Sequence, residues 1–153
     1  MANTYHKIYI QAVFAVKYRD AVIAENWKKE LMAVIGNLIN ETGCKTLIVN
    51  GVEDHVHCLF GLKPSVSLSD VMKNAKAKSS KWINESSILD YRFEWQEGYG
   101  AFSYCRSEVD TVYHYIEHQE EHHHHQSFRE EYLDFLETYE VDYDEEYIFE
   151  DLI

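Results

Sequence analysis

Proline is nearly absent, with one residue in 153, and glycine is sparse at six. That excludes collagen-like and linker-dominated architectures. Cysteine occurs three times, as Cys44, Cys58 and Cys105, far apart and without a C-x-x-C pair. Neither a disulfide framework nor a cysteine zinc site fits, so reduced thiols in a cytoplasm are expected. No apolar run approaches the ~20 residues of a membrane span. The opening Met1-Ala2-Asn3-Thr4 has neither the basic nor the apolar region of a signal peptide. A cytoplasmic protein without a membrane partner is the expectation. Positive charge is missing from one part of the chain. Residues 107–153 hold one basic side chain against 16 acidic ones, whereas residues 1–106 hold 13 against 11. Spread evenly, the net charge of −13 would argue against a nucleic-acid partner. Because the acidity is confined to the last third, such a partner stays open for the first two.

What is present suffices for one core. Apolar residues make up 46% of the chain and aromatic residues 14%, which also argues against disorder. Ile8, Ile10, Ala12, Phe14 and Val16 alternate with Tyr9, Gln11, Val13 and Ala15, a strand pattern with both faces partly buried. Trp27, Leu31, Val34, Ile35, Leu38 and Ile39 keep helical spacing, and Gly43 follows as a stop. Residues 46–52 and 56–62 read as two more strands, with Asn50-Gly51 as the turn of a hairpin. After Pro64, the positions Leu68, Val71, Met72, Ala75, Ser79 and Trp82 mark a second amphipathic helix, and 101–104 a short strand. Ser107-x-x-Asp110 resembles a helix-start signal for a third helix over about 107–124. Ser127 or Gln126 caps a fourth, to about Thr138, before an acidic, tyrosine-rich tail. The order β-α-β-β-α-β followed by helices predicts an α+β fold. It is a single domain with a ferredoxin-like split β-α-β antiparallel sheet, both early helices on one face, and added C-terminal helices.

Two constellations carry chemistry. In His55-Val56-His57 the imidazoles lie two residues apart on a strand, so they project to one face while Val56 points into the core. Two neutral imidazoles side by side can share a divalent ion and leave sites open for a third ligand and a substrate oxygen. Glu53 and Asp54 precede them. Taken alone, an H-x-H on a strand also fits a polar sheet edge. The second constellation is Tyr115 with Gln119, about 40° apart around a helix. Tyr113 falls in the apolar stripe of Val109, Val112 and Ile116, whereas Tyr115 and Gln119 lie on its flank. Tyr113 is therefore the core residue and Tyr115 the reactive one. With twelve tyrosines in the chain, a lone Tyr-x-x-x-Gln has little specificity.

Motif order adds the specificity. His55-Val56-His57 after Asp54 is followed by Ser79-Ser80-Lys81-Trp82-Ile83-Asn84, then by Trp95-Gln96 with Gly98-Tyr99-Gly100-Ala101-Phe102-Ser103. Tyr115-Ile116 with Gln119-Glu120-Glu121-His122-His123 comes next, then Ser127-Phe128 with Glu130 and Tyr132. The chain from residue 5 to about 147 resembles the small single-tyrosine transposases of bacterial insertion sequences. These are IS200-like members of the HUH (His-hydrophobe-His) endonuclease superfamily. The resemblance implies a homodimer that binds single-stranded DNA ends, often as hairpins, and cuts and rejoins them. The tyrosine helix of one subunit can serve the histidine pair of the other. Residue by residue, it implies that His55 and His57 hold a divalent metal, Mg2+ or Mn2+, that Gln119 completes the metal site, and that Tyr115 is the nucleophile. The transposase domain would span 1–126, and 127–153 would be an acidic helix and tail packing on the partner or limiting non-specific DNA binding. One departure is Gln11, standing where many relatives have His.

Lys73, Lys76, Lys78 and Lys81 on the second helix, with Lys17, Arg19 and Arg106, are candidate phosphate contacts, or else an ordinary solvated face. Trp82, Trp95, Tyr99 and Phe102 are candidates for base stacking or core packing. The internal run His122 to His125 reads as helix C-terminal polar residues complementing the dipole. The rival readings are a metal-dependent phosphodiester hydrolase using water, and a domesticated DNA-binding module that no longer cuts.

Overall fold

Side-chain alternation along the first strand decides the layering of the fold. In a computed structural model, which describes residues 4–123 and 126–143, strand β1 (Tyr9–Ala15) is central and buried along nearly its whole length. It pairs antiparallel with β3 (His55–Gly61) on one side and β4 (Gly100–Tyr104) on the other. Strand β2 (Lys45–Gly51) completes the order β2-β3-β1-β4. Directly opposed residues share a face, so Ala12 and Phe14 line up with Cys58 and Val56 on one side. Gln11, Val13 and Ala15 line up with Leu59, His57 and His55 on the other.

The first face carries the main core. Helices α1 (Glu25–Glu41) and α2 (Leu68–Glu85) lay Trp27, Leu31, Ile35, Ile39, Val71, Met72 and Ala75 onto Ile10, Ala12, Phe14, Val56 and Phe60. Each of the Val, Leu, Ile, Phe and Met side chains among them contributes roughly 1.5–3 kcal/mol by leaving water. Thr42 and Gly43, the latter at φ +94°, end α1, and the Ser67 hydroxyl accepts the Asp70 N–H at the start of α2. Trp95 meets Phe14 edge to face and donates its indole N–H to Ser79 Oγ at 2.9 Å, so it and the buried Phe102 pack in the interior while Tyr99 stays partly exposed.

The second face is covered by α3 (Arg106–Glu117), the short α4 (Gln119–His122) and α5 (Phe128–Thr138). Val109, Val112 and Ile116 pack on Leu59, while Phe128 and Leu136 pack on Val13, Ala15 and Phe102. The described part of the segment after Ser127 thus packs on its own chain's sheet; residues 144–153 of the expected tail, like His124 and His125, lie outside the described residues. No described helix is long and apolar enough to cross a membrane.

Three boundaries differ from expectation, each for a local reason. Asn50-Gly51 is not the hairpin turn: Gly51 pairs with Val56 inside the ladder and residues 52–54 make the turn. Glycine is required because a Cβ there would press into the His55 carbonyl oxygen and lie 3.0 Å from Val56 Cα. Asn50 instead donates from Nδ2 to the carbonyls of Ile116 (2.9 Å) and Glu117 (3.2 Å), tying β2 to the end of α3. The third helix starts after Cys105, whose N–H donates to Glu108 Oε1 at 3.2 Å, rather than at Ser107. It also breaks at His118 (φ −102°, ψ 30°), whose ring nitrogen Nδ1 lies 2.7 Å from the His114 carbonyl. The expected Ser127 cap is present, accepting the Glu130 N–H at 3.2 Å.

Gly51 in the ladder and Gly36 in the helix packed on it should respond with opposite signs. Gly51→Ala should destabilise by about 1–3 kcal/mol. Gly36→Ala, whose Cβ would meet Thr46 Cγ2 at an ordinary 3.5 Å within α1, should be neutral or stabilise by up to about 1 kcal/mol. Urea unfolding of the two variants checks both signs.

Candidate active site

Period-two geometry on β3 sends His55 and His57 to the second face, and both are fully buried there, while Val56 enters the main core as expected. The two rings lie 5.2 Å apart. Each is held through Nδ1. Asp54 Oδ1 lies 2.7 Å from His55 Nδ1, and Gln11 Oε1 lies 2.8 Å from His57 Nδ1. Gln11 donates from its Nε2 to Tyr104 Oη at 2.8 Å, which sets which end of its amide faces the histidine. A carboxylate and an amide oxygen can only accept, so both Nδ1 atoms carry the proton. In the neutral rings both Nε2 atoms then present a lone pair to the same space, the arrangement that orients ligating histidines. Gln11, the departure from the resembling family, thus has a place in this chain.

Facing these lone pairs is the carboxylate of Glu131 from α5, only 2% exposed. Its Oε1 lies 3.0 Å from His57 Nε2, 3.4 Å from His55 Nε2 and 3.3 Å from His123 Nε2. The His55 contact has the range of an ion pair without the geometry of a hydrogen bond, and His55 Nε2 is a buried atom with no hydrogen-bond partner. The ligand atoms of His55, His57, His123 and Glu131 all lie within 4.8 Å of one another. Gln119, also buried, places Oε1 3.2 Å from His123 Nε2 and donates from Nε2 to Glu131 Oε2 at 3.4 Å. The Tyr115 hydroxyl donates to the same Oε2. Its ring lies 6.1 Å from that of His57 and stacks on His122.

The electrostatics follow from burial and this carboxylate. Burial raises the Glu131 pKa, but His57 and contacts to His123 and His55 outweigh it and hold the group well below the usual carboxylate range. Burial pushes the Tyr115 phenol far above its ordinary value, and the Glu131 charge adds to this. Burial also lowers His57, whereas at His55 the hydrogen bonds and charges of Asp54 and Glu131 overcome burial and raise it. An anionic oxygen among converging imidazole lone pairs is a donor set for a divalent cation. A positive charge there would also oppose both effects that hold the proton on Tyr115.

The structure brings Tyr115, His55, His57 and Gln119 together within one chain. It leaves the candidate phosphate contacts elsewhere. Lys73, Lys76, Lys78 and Lys81 belong to α2, across the sheet from the histidines. Lys76 is half-buried and donates to the carbonyls of Gln96 (2.8 Å) and Gly98 (2.6 Å), stapling that loop. Lys78 lies 3.9 Å from Glu41, Lys81 3.8 Å from Glu85, Lys17 3.2 Å from Glu94 and Arg106 3.7 Å from Asp110. The side chain of Arg19 lies outside what the structure describes. Sequence reasoning missed Glu131 and His123. A signal existed for each: Glu131 falls in the helical stripe Phe128, Tyr132, Phe135, Leu136, where an acid has no ordinary business. His123 continues the four-residue ladder Tyr115, Gln119.

A four-stranded antiparallel α+β sheet with a buried histidine pair and a tyrosine on the covering helix defines the class of this protein. The family model for "Transposase IS200 like" matches residues 4–119, and the chain belongs to that family of DNA transposases. Transposases for insertion sequence element IS200 from Salmonella typhimurium and Salmonella typhi are each 28% identical to it over 127 residues, covering 78% of this chain and 81% of theirs. The fold is shared with a crystal structure of a Deinococcus radiodurans protein described as a transposase (TM-score 0.63, 19% identity, 78% of this chain and 95% of that one). It is shared also with a REP-associated tyrosine transposase bound to a REP hairpin (TM-score 0.53, 13% identity, 76% and 70%).

Replacing Gln11 by Ala strips the buried His57 Nδ1–H of its acceptor. A loss of about 1–3 kcal/mol in unfolding free energy is expected, measurable by denaturant titration.

Proposed function

We propose that this transposase cuts and rejoins single-stranded DNA at insertion-sequence ends by transesterification through Tyr115. The observation that carries the reading is convergence: the Tyr115 hydroxyl and both imidazole Nε2 atoms meet at one carboxylate. A scissile phosphate engaged in front of the histidines is therefore within reach of the phenol. His55, His57 and Gln119 would hold Mg2+ or Mn2+, which supplies polarisation of the phosphate and neutralises charge developing on its oxygens. The Tyr115 oxygen attacks phosphorus and gives up its proton, and the bond from phosphorus to the 3′ oxygen breaks. A 5′-phosphotyrosine and a free 3′-hydroxyl result. Because the ester is retained, a DNA 3′-hydroxyl attacking the adduct joins new ends and returns the phenol.

The hairpin carried by the REP-associated neighbour supports folded single strands as the substrate form. Lys17, Arg19, Lys73, Lys78, Lys81 and Arg106 are the proposed phosphate contacts, and Lys76 contributes mainly through the loop it holds. A homodimer is part of the proposal. Since Tyr115 lies beside the histidines of its own chain, cleavage in cis needs no exchange of helices. The hydrolase reading has the same metal residues but forms no adduct.

Labelled single-stranded ends incubated with Mn2+ should yield an SDS-resistant protein–DNA adduct. Tyr115→Phe should abolish it, and His57→Ala should slow it by about 100-fold or more. Cleavage without an adduct, surviving in Tyr115→Phe, would establish the hydrolase instead. Binding to random single strands should weaken with salt, and each of Lys73→Ala, Lys78→Ala and Lys81→Ala should reduce the log–log salt slope by about 0.7. Fluorescence anisotropy across a salt series reads this, and an unchanged slope would remove that lysine from the interface.

A further inference from the structure

We propose that Glu131 is itself a ligand of the divalent cation, so that helix α5, beyond the segment matched by the family model, completes the metal centre within a single chain. The inference rests on the metal reading given above and extends it. Four observations carry it.

The first is cost. A carboxylate in an apolar helical stripe is expensive to bury without compensation. Among the described residues, the groups at ion-pair distance from Glu131 are three imidazoles: those of His55, His57 and His123. The second is the direction of the lone pairs. With Nδ1–H of His55 and His57 donated to Asp54 and Gln11, the Nε2 atoms of the neutral rings turn their lone pairs to the Glu131 oxygen, 3.0 Å away at His57. Such lone pairs repel unless they share a proton or a metal cation, and a metal cation serves all of them at once. His55 Nε2, buried and without a hydrogen bond, is aimed at this point.

The third is spacing. Oε1 stands 3.0, 3.3 and 3.4 Å from the three nitrogens. Two ligands at right angles on bonds of about 2.1 Å are about 3.0 Å apart, and at the tetrahedral angle about 3.4 Å. The donors are thus set at the separations of neighbouring ligands. The fourth is the division of labour between the two oxygens. Oε1 faces the imidazoles, while Oε2 takes the Tyr115 hydroxyl and the Gln119 amide. One carboxylate therefore links the cation site to the nucleophile and fixes the phenol beside it. An anionic ligand also raises affinity for the ion beyond what imidazoles and a neutral amide supply.

The test is Mn2+ binding by the full chain without DNA, followed by calorimetry and by loss of the free Mn2+ electron-paramagnetic signal. Wild type, Glu131→Gln and His57→Ala are compared, with circular dichroism confirming the fold. Glu131→Gln keeps the shape and removes the charge, and it should weaken Mn2+ binding at least about tenfold, as should His57→Ala. Affinity in Glu131→Gln equal to or tighter than wild type would overturn the proposal and make the carboxylate a plug that competes with the ion. Loss in His57→Ala alone would leave the metal reading standing without Glu131. Indifference of both would remove the metal reading as well. Should Glu131→Gln not fold, Glu131→Asp takes its place. Shortening a ligand withdraws its oxygen and weakens Mn2+ binding several-fold, whereas a mere buried counter-charge predicts no change, and no change would overturn the proposal.

Discussion

The antiparallel pairing of β1 with β3 is the constraint on which the rest of this protein depends. Its register places Phe14 against Val56 on one face and Val13 against His57 on the other. Because side chains alternate with period two, one register sets both the apolar core and the polar site. A slip by one residue would carry the imidazoles into the main core and Val56 out of it. The same register brings Gln11 to the second face, where it fixes the tautomer of His57. The helices then follow. The apolar stripes of α1 and α2 fit one face, and the shorter stripes of α3 and α5 fit the other, with the histidine pair roofed between them.

Charge is handled by separation. The acidic excess of the last third does not oppose the site uniformly, since α5 turns Phe128, Leu136 and a single carboxylate inward. That carboxylate meets three imidazoles. Among the other described acids, Glu120 takes Lys28 at 2.9 Å, which ties the start of α4 to α1. The tyrosine helix is braced at its C-terminal end by Asn50 on its last carbonyls, and the short helix that follows it by that ion pair. Such bracing matters to the proposed chemistry, because a reacting group displaced by an ångström loses much of its advantage.

Much of the architecture was legible because it rests on short-range periodicity. Alternation in β1, the helical spacing of Trp27 to Ile39 and of Leu68 to Trp82, and the Ser127 cap all speak locally. So did the common face of His55 and His57. The boundaries that moved were those where one residue type serves two purposes. Gly51 reads as a turn but permits a close backbone approach inside a ladder, and Asn50 reads as its companion but reaches across to a helix end. Ser107 reads as a cap where Cys105 stands. His118 ends a helix that periodicity would continue.

The amino-acid sequence by itself determined the α+β order, the histidine pair and the tyrosine with its neighbouring glutamine, and through their order the transposase family. These are features of spacing, and spacing survives without coordinates. Only the tertiary structure decided that Gln11 orients His57, that His123 joins the cluster, and that Glu131 closes it. Those groups come from β1, the segment after α4, and α5, separated from β3 by tens of residues. The apolar stripe of α5 sets Glu131 apart among the chain's 27 acids, but no local pattern records which groups it will meet inside. Packing α5 against the second sheet face makes that choice, since seating Phe128 and Leu136 leaves Glu131 nowhere to point but at the imidazoles.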